Sequence, residues 1–286
     1  MGDTTGLTTY CVGRQTIDVP NDARFKGQSN VFWGSTIERI GDATQTSLAS
    51  LVDEARARIM DIPPPKGLAS PFISERRGEN GRFWSSVYYP NGIAGGVAAY
   101  ETLSVNEPHL YRSTGTISAS KADLSYEFER KIANAISATE LPVPQEEGFC
   151  IDGGIIRLPT TYAEEAELVF LLADAIELVI ETETVDEPNT ETALAMKESG
   201  LRGLEVEGFR PKVLREGKRD LNGREGDELI VQVEDAEGLF VWEFPGKPDD
   251  GKDPFIAIRA TIPLGGDYEA ALALWDLILP TLRPRG

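Results

Sequence analysis

The sequence predicts an α+β protein of two related tandem domains, each a largely antiparallel sheet with flanking helices. Three observations predict it. The 286 residues are about two domain lengths. A pattern of residues recurs half-way along the chain. The apolar runs follow one another as strands punctuated by turns, with a few amphipathic helices between them and no regular strand-helix alternation, which argues against a parallel sheet.

The recurrence sets CVGRQTIDVP (Cys11 to Pro20) over CIDGGIIRLP (Cys150 to Pro159): Cys11 falls on Cys150, Ile17 on Ile156 and Pro20 on Pro159 at a constant offset. The same offset places Ile37 and Glu38 on Ile176 and Glu177, and Ile40 on Val179, while Leu141-Pro142 matches Leu279-Pro280 at nearly that spacing. One unit of about 140 residues used twice accounts for the chain length. Residues 1–140 then form the first domain, 148–286 the second, and 141–147, which contains two prolines, the linker.

In the first domain, Thr8 to Val19 and Asn30 to Ile40 read as strands. TQTSLASLVDEARARI places Leu48, Leu51, Val52, Ala55 and Ile59 on one helical face, and Pro63-Pro64-Pro65 ends that helix. Further strands are expected around Phe72, Phe83 to Tyr89, Gly96 to Leu103 and Leu110 to Ser118, with hairpin-type Asn-Gly pairs at 80 and 91. Ser120 to Asp123 resembles a capping box opening a helix whose Leu124, Phe128, Ile132 and Ile136 share one face. The second domain repeats the order: a strand from Phe149, Glu164 to Glu181 as a strand with a bulge near Ala173, a short helix near Glu191 to Ser199, and strands near Leu204, Val213, Glu228 to Glu234, Phe240 to Phe244 and Pro254 to Ile262. A closing helix spans Asp267 to Leu279.

Charge narrows the function. The net charge is -19, and the second half carries nearly all of it. Such a surface repels phosphate backbones and anionic headgroups and steers a basic protein partner inward. The longest apolar run, Leu168 to Leu172, is far too short to span a bilayer. The polar start MGDTTGLTTY has no secretory pattern, and Gly6 stands where a myristoylation signal needs Ser or Thr. The expected location is the periplasm if an export signal was removed before Met1, and the cytoplasm otherwise.

Chemistry-bearing motifs are sparse. His109 is the sole histidine and no Gly-x-Ser-x-Gly elbow occurs, which leaves a Ser-His-Asp hydrolase without parts. One histidine and two separated cysteines do not supply a zinc tetrahedron. Gly92 to Gly96 fits no phosphate loop, and Asp220 to Glu228 lacks the ligand register of an EF-hand. No cofactor, metal or catalytic residue is expected. A paired-carboxylate hydrolase is the enzymatic alternative, since its two acids are defined by distance in the fold; Trp33, Trp84, Trp242 and Trp275 are read as core residues. The other alternative is an envelope-associated binding adaptor. Cys11 and Cys150 hold equivalent positions and form a candidate disulfide, closing a loop worth up to about 5 kcal/mol in the chain-entropy model, or remain buried thiols in a reducing compartment.

The stretches CVGRQTIDVP, FCIDGGIIRLP, GLEVEGFRPK and FVWEFPGK followed by DPFIAIRATI resemble the type VI secretion lipase-immunity family, whose members neutralise antibacterial phospholipase effectors. The resemblance implies a two-domain, non-enzymatic binding protein that grips its cognate lipase between its halves, obstructs lid opening or substrate access, and acts in the periplasm. It supplies no contact motif. Independently of it, loops on a rigid scaffold are where recognition concentrates, so the expected partner-binding residues are Asp220, Asn222, Arg224, Glu225, Asp227 and Glu228 in an acidic hairpin loop, with Asp249, Asp250 and Asp253 in the loop after Pro248.

Overall fold

The computed structural model describes residues 6–78, 81–139, 143, 146–159, 163–248 and 250–285. In the first half, strands β1 (Leu7–Val12), β2 (Gln15–Pro20), β3 (Arg24–Phe32) and β4 (Ser35–Asp42) precede helix α1 (Leu48–Met60). Strands β5 (Phe72–Arg77), β6 (Phe83–Tyr88), β7 (Val97–Asn106) and β8 (His109–Ser118) follow, then helix α2 (Ala122–Ala135) and strand β9 (Ile136–Ala138). The second half runs through the same order. It has β10 (Phe149–Ile151), β11 (Gly154–Ile156), β12 (Glu164–Leu171) and β13 (Glu177–Glu183), then α3 (Lys197–Val206). It continues with β14 (Arg210–Leu221), β15 (Arg224–Glu234), β16 (Gly238–Phe244), β17 (Phe255–Ile262), α4 (Tyr268–Ile278) and β18 (Arg283–Pro284).

The correspondence reaches the register of single residues. In the β1–β2 hairpin Tyr10 lies opposite Ile17 and Cys11 opposite Thr16; in the β10–β11 hairpin Phe149 lies opposite Ile156 and Cys150 opposite Ile155. The large-sheet strands of the two halves also share an order, β14-β15-β16-β17-β13-β12 and β5-β6-β7-β8-β4, with antiparallel pairing between neighbours. The α+β class follows from these antiparallel sheets and their helices. The Leu141-Pro142 match and most of the 141–147 segment lie outside the described residues.

Two compact units make up the structure, one of residues 1–29 with 160–286 and the other of residues 30–159. They cut the chain differently from a division into 1–140 and 148–286, because the opening hairpins are exchanged. Strand β2, from the first half, pairs with β18 at the end of the second half, Thr16 opposite Arg283. Strand β11, from the second half, pairs with β9 at the end of the first, with Ile155 opposite Ser137 and Ile156 opposite Ile136. Each unit thus holds a three-stranded sheet whose hairpin comes from one half of the sequence and whose third strand comes from the other.

In the unit of 1–29 and 160–286 the borrowed hairpin is held by a bidentate ion pair. Arg14 Nε and Nη2, at its turn, each donate 2.8 Å to the buried Glu164 at the start of β12. The Asp18 amide donates to Thr281 Oγ1 at 2.8 Å, and Arg283 pairs with the Asp18 carboxylate. Helix α4 begins at Asp267, whose carboxylate caps the amides of Glu269 and Ala270. Its buried Trp275 meets Phe240 edge to face.

In the unit of 30–159, α1 is capped by Ser47 and buries Val52, Ala55 and Ile59 against Trp84 and Leu103. Helix α2 differs from expectation. Its buried residues are Ala122, Ser125, Glu129, Ile132 and Ala133, while Leu124 and Phe128 face solvent. No side-chain cap hydrogen bond forms at its start, where a 3-10 turn over Ala119–Lys121 leads in. The reason is polar: Ser35 Oγ donates at 2.7 Å to the Glu129 carboxylate and also meets the Tyr100 hydroxyl, so this face closes over a hydrogen-bonded group. Burial pushes the Glu129 carboxyl up to about 7.

Other expectations are corrected by turns. Thr8 to Val19 and Asn30 to Ile40 are each two strands, because Gly13 in one and Trp33-Gly34 in the other adopt positive φ and reverse the chain. Glu164 to Glu181 spans two strands instead of one bulged strand, since Asp174 and Ala175 also lie at positive φ. The helix expected near Glu191 to Ser199 lies further along, as α3 over Lys197–Val206, and Leu204 belongs to it instead of to a strand. The Phe209 amide returns to Leu204 O past Gly208, which takes the left-handed conformation that closes the helix. Trp33 occupies a turn, whereas Trp84, Trp242 and Trp275 are core residues as expected.

The exchange of hairpins has a direct consequence. A chain cut between residues 139 and 149 should keep its two pieces together under native conditions even after reduction, since each compact unit contains strands from both. Co-elution in size exclusion, with separation only in denaturant, checks this; pieces that part on reduction alone would refute the exchanged pairing.

Candidate partner-binding surface

The predicted acidic loop is a tight hairpin. Asn222 and Gly223 both take positive φ between β14 and β15, the two-residue arrangement that an Asn-Gly pair favours, so most of the Asp220 to Glu228 segment is strand. The Asp220 carboxylate accepts the Gly223 amide at 3.0 Å. Asn222 Nδ2 donates to Leu282 O at 2.7 Å and Pro280 O at 3.1 Å, which ties the turn to the segment after α4.

Alternation along β15 then divides the candidates. Asp220, Asn222 and Glu225 are exposed, whereas Arg224 and Glu228 are buried. Arg224 Nε donates to Asp253 at 2.8 Å, its guanidinium also reaches Lys252 O, and it lies over the Phe244 ring. Asp253 in turn accepts from Lys247. Burial pushes the Asp253 carboxyl up, but the hydrogen bonds from Lys247 and Arg224 outweigh it and hold it below the usual carboxylate range. Glu228 accepts from Arg219 at 2.6 Å and from Trp275 Nε1 at 2.9 Å. Asp227 is half-buried, bound to Thr192 at 2.6 Å and to Lys218. Asp250 accepts the Lys252 amide at 2.9 Å, and Asp249 lies outside the described residues.

The structure therefore gathers these residues at one end of the β14–β15 hairpin and beside the 245–254 connection, but spends Arg224, Glu228 and Asp253 on internal ion pairs. Asp220, Asn222 and Glu225 remain exposed.

A second acidic face lies on the β12–β13 pair. On β12 and β13, Glu165 lies directly opposite Glu183 and Glu167 opposite Glu181. Like charges placed so are unfavourable. Burial pushes the Glu167 and Glu183 carboxyls up, and the facing glutamates add to it. Arg259 relieves part of this by bridging Glu181 and Glu243. The signal was present as alternation, Glu165 and Glu167 on one strand and Glu181 and Glu183 on the next, but needed the pairing register to become a face. Such a concentration of carboxylates steers a basic protein surface toward the unit.

His109 packs edge-on against the Tyr111 ring. Its Nδ1 meets the Asp42 carboxylate at 2.9 Å, while Nε2 is buried without a hydrogen-bond partner beside Gly153, where a Cβ would come within 2.8 Å of the ring. Among the described residues no group of three or more His, Cys, Asp or Glu could hold a metal ion, and no helix is long and apolar enough to cross a membrane.

Exposure predicts different outcomes at neighbouring positions. Arg224→Ala should lower unfolding stability by about 1–3 kcal/mol, since it removes a buried guanidinium together with its hydrogen bonds to Asp253 and Lys252 O, whereas Asp220→Ala and Glu225→Ala should stay within about 0.5 kcal/mol. Urea titrations of the three variants check this; equal effects would contradict the arrangement.

Comparison with known proteins matches this geometry to one group. A search of the curated proteins finds no match by sequence. Among solved structures, the chain is similar to the apo form of the immunity protein TplEi of the type VI secretion system of Pseudomonas aeruginosa, with a TM-score of 0.84 at 23% identity over 99% of this chain and 98% of that one. It is similar to a chain of the Tle4-Tli4 complex, with a TM-score of 0.85 at 23% identity and 99% coverage of both. TplEi bound to an "L" peptide aligns with a TM-score of 0.77, again at 23% identity and 99% coverage of both. These likenesses show the fold. The family model for the C-terminal domain of Tle cognate immunity protein 4 matches residues 142–286, half of the chain, and the protein belongs to that immunity-protein family.

Proposed function

We propose that this protein binds and neutralises a cognate lipase effector of a type VI secretion system, by obstructing the effector's lid or substrate access, and that it catalyses no reaction itself. The observation that carries this reading is the family match over 142–286. The likeness to a chain of the Tle4-Tli4 complex supports it. The sole histidine is buried and held by Asp42, and the acidic residues on the β14–β15 hairpin are either exposed or engaged in structural pairs. Asp220, Asn222 and Glu225 are the partner-facing residues of that hairpin in this reading. Its place of action is the periplasm, where a delivered lipase would meet its substrate.

Residues 1–140 and 148–286 are two copies of one ancestral unit joined by 141–147, a reading supported by the shared element order and hairpin register. We also propose that Cys11 and Cys150 form a disulfide. Both are buried at equivalent register positions, and neither is a free thiol. The unfolded protein should accept a thiol label only after reduction; labelling without reductant would refute the bond.

The functional test titrates a type VI lipase effector of the Tle4 class, together with any lipase-like protein found encoded beside this chain, with the purified protein. A stable 1:1 complex and loss of lipase activity on titration are expected. An unimpaired lipase with no complex would refute the reading, and so would hydrolysis of lipid or glycoside substrates by this chain alone if a single carboxylate substitution abolished it.

A further inference from the structure

Helix α3 takes the place of α1 in the shared element order, yet it lacks most of what holds α1 down. Helix α1 has thirteen residues, a Ser47 side-chain cap and three buried residues, and its Arg56 and Arg58 pair with Glu75 and Glu101. Helix α3 has ten residues, none of them buried, and no side-chain hydrogen bond at its start. A helix of that length does not hold its shape in water without tertiary contacts.

Its interior weakens it further. Gly200 and Gly203 lie inside the helix, where glycine is the least favourable residue after proline. Neither takes a positive φ, and a Cβ at either would meet nothing within 4 Å. Neither conformation nor crowding requires glycine at these positions, so the effect left to both is a less stable helix. Met196 and Val206, at its two ends, are 52% and 83% exposed.

Beneath α3 runs an apolar row. Leu229, Val231 and Val233 of β15 are buried, and Leu201 and Leu204 of the helix pack against them. The ends of the segment are tied down independently of the helix. Thr192 Oγ1 donates to Asp227 and the Ala193 amide to the buried Glu243, each at 2.6 Å. At the other end Gly208 turns at φ +92, and Arg210 enters the sheet opposite Glu234. Between these ends α3 has one ion pair among the described residues, Lys197 with the 43% exposed carboxylate of Glu216. An exposed pair of this kind adds little.

We propose that α3 is a strap: it unwinds and lifts as one unit between its bonded ends, baring the Leu229, Val231 and Val233 row while the sheet beneath stays folded. This does not depend on the function proposed above. Few buried contacts, a missing cap and two unneeded glycines put α3 at the low end of local stability, whereas β15, paired by β14 on one side and β16 on the other, lies at the high end. The closed strap hides an apolar surface of the acidic half, and the open one presents it.

Native-state hydrogen exchange on the full-length protein tests this, with Gly200→Ala, Gly203→Ala and the double variant beside the wild type. In the wild type, amides 201–206 should be at least about 100-fold less protected than those of β15, while the Ala193 amide keeps its protection. Each alanine should slow exchange at 201–206 by about 5-fold and the pair by about 25-fold, with β15 unchanged. A thiol reagent acting on Val231→Cys reads the same opening from the strand side, and its labelling should slow by the same factors when the alanines are added. Protection of α3 equal to that of β15, or exchange indifferent to both alanines, would overturn the strap. Labelling of Val231→Cys at a rate that the alanines leave unchanged would overturn it too, since the row would then be bared by some other motion.

Discussion

The structure depends on the Arg14–Glu164 pair and the strand bonds around it, because these hold a hairpin from one half of the sequence inside a unit built from the other. Glu164 is almost wholly buried, so Arg14 is the group that makes its charge tolerable there. Each compact unit has a small sheet with strands from both halves, and neither unit can be assembled from one half alone with the pairings seen here. The reciprocal pairing of β11 with β9 imposes the same condition on the other unit. A binding protein gains from this: its opening hairpins are anchored by long-range bonds instead of fraying as terminal segments do.

Electrostatics divides the rest of the surface. The carboxylates of the second half are partly spent on buried arginine pairs, as at Arg224 with Asp253 and Arg219 with Glu228, and partly left facing one another on β12 and β13. Only the second kind projects a field. The first half is near neutral and carries exposed Ile93, Val97, Met60 and Leu68. The two halves thus share one element order yet differ in surface, one densely acidic and the other near neutral with exposed apolar side chains.

The α+β class, the repeat, and the helices α1 and α4 could be read from the sequence because each rests on local pattern: spacing of apolar residues, the Ser47 and Asp267 caps, and motifs recurring at one offset. The family resemblance was also carried by local stretches. What the sequence could not convey was where those patterns stop. The turns at Trp33-Gly34 and Asp174-Ala175 depend on residues at positive φ, which the identity of Trp or Ala does not announce. The face of α2 was misread because the periodicity of Leu124 and Phe128 was as good a helical stripe as the true one. A buried Glu129 is acceptable only where Ser35 and Tyr100 are already in place.

The candidate site divides along the same line. That Asp220 to Glu228 carries a dense set of polar side chains in a hairpin was evident from composition and from Asn222-Gly223. Which of them face outward was decided by strand alternation together with Asp253, Lys252 and Trp275, residues distant in sequence that take up Arg224 and Glu228. The acidic ladder of β12 and β13 and the hairpin exchange likewise exist only once register and partner strands are fixed. The sequence by itself determined class, repeat, charge and family, since these are properties of local pattern. The tertiary structure decided which strands pair, which charges are spent and which apolar side chains remain in water, because those depend on contacts between residues far apart along the chain.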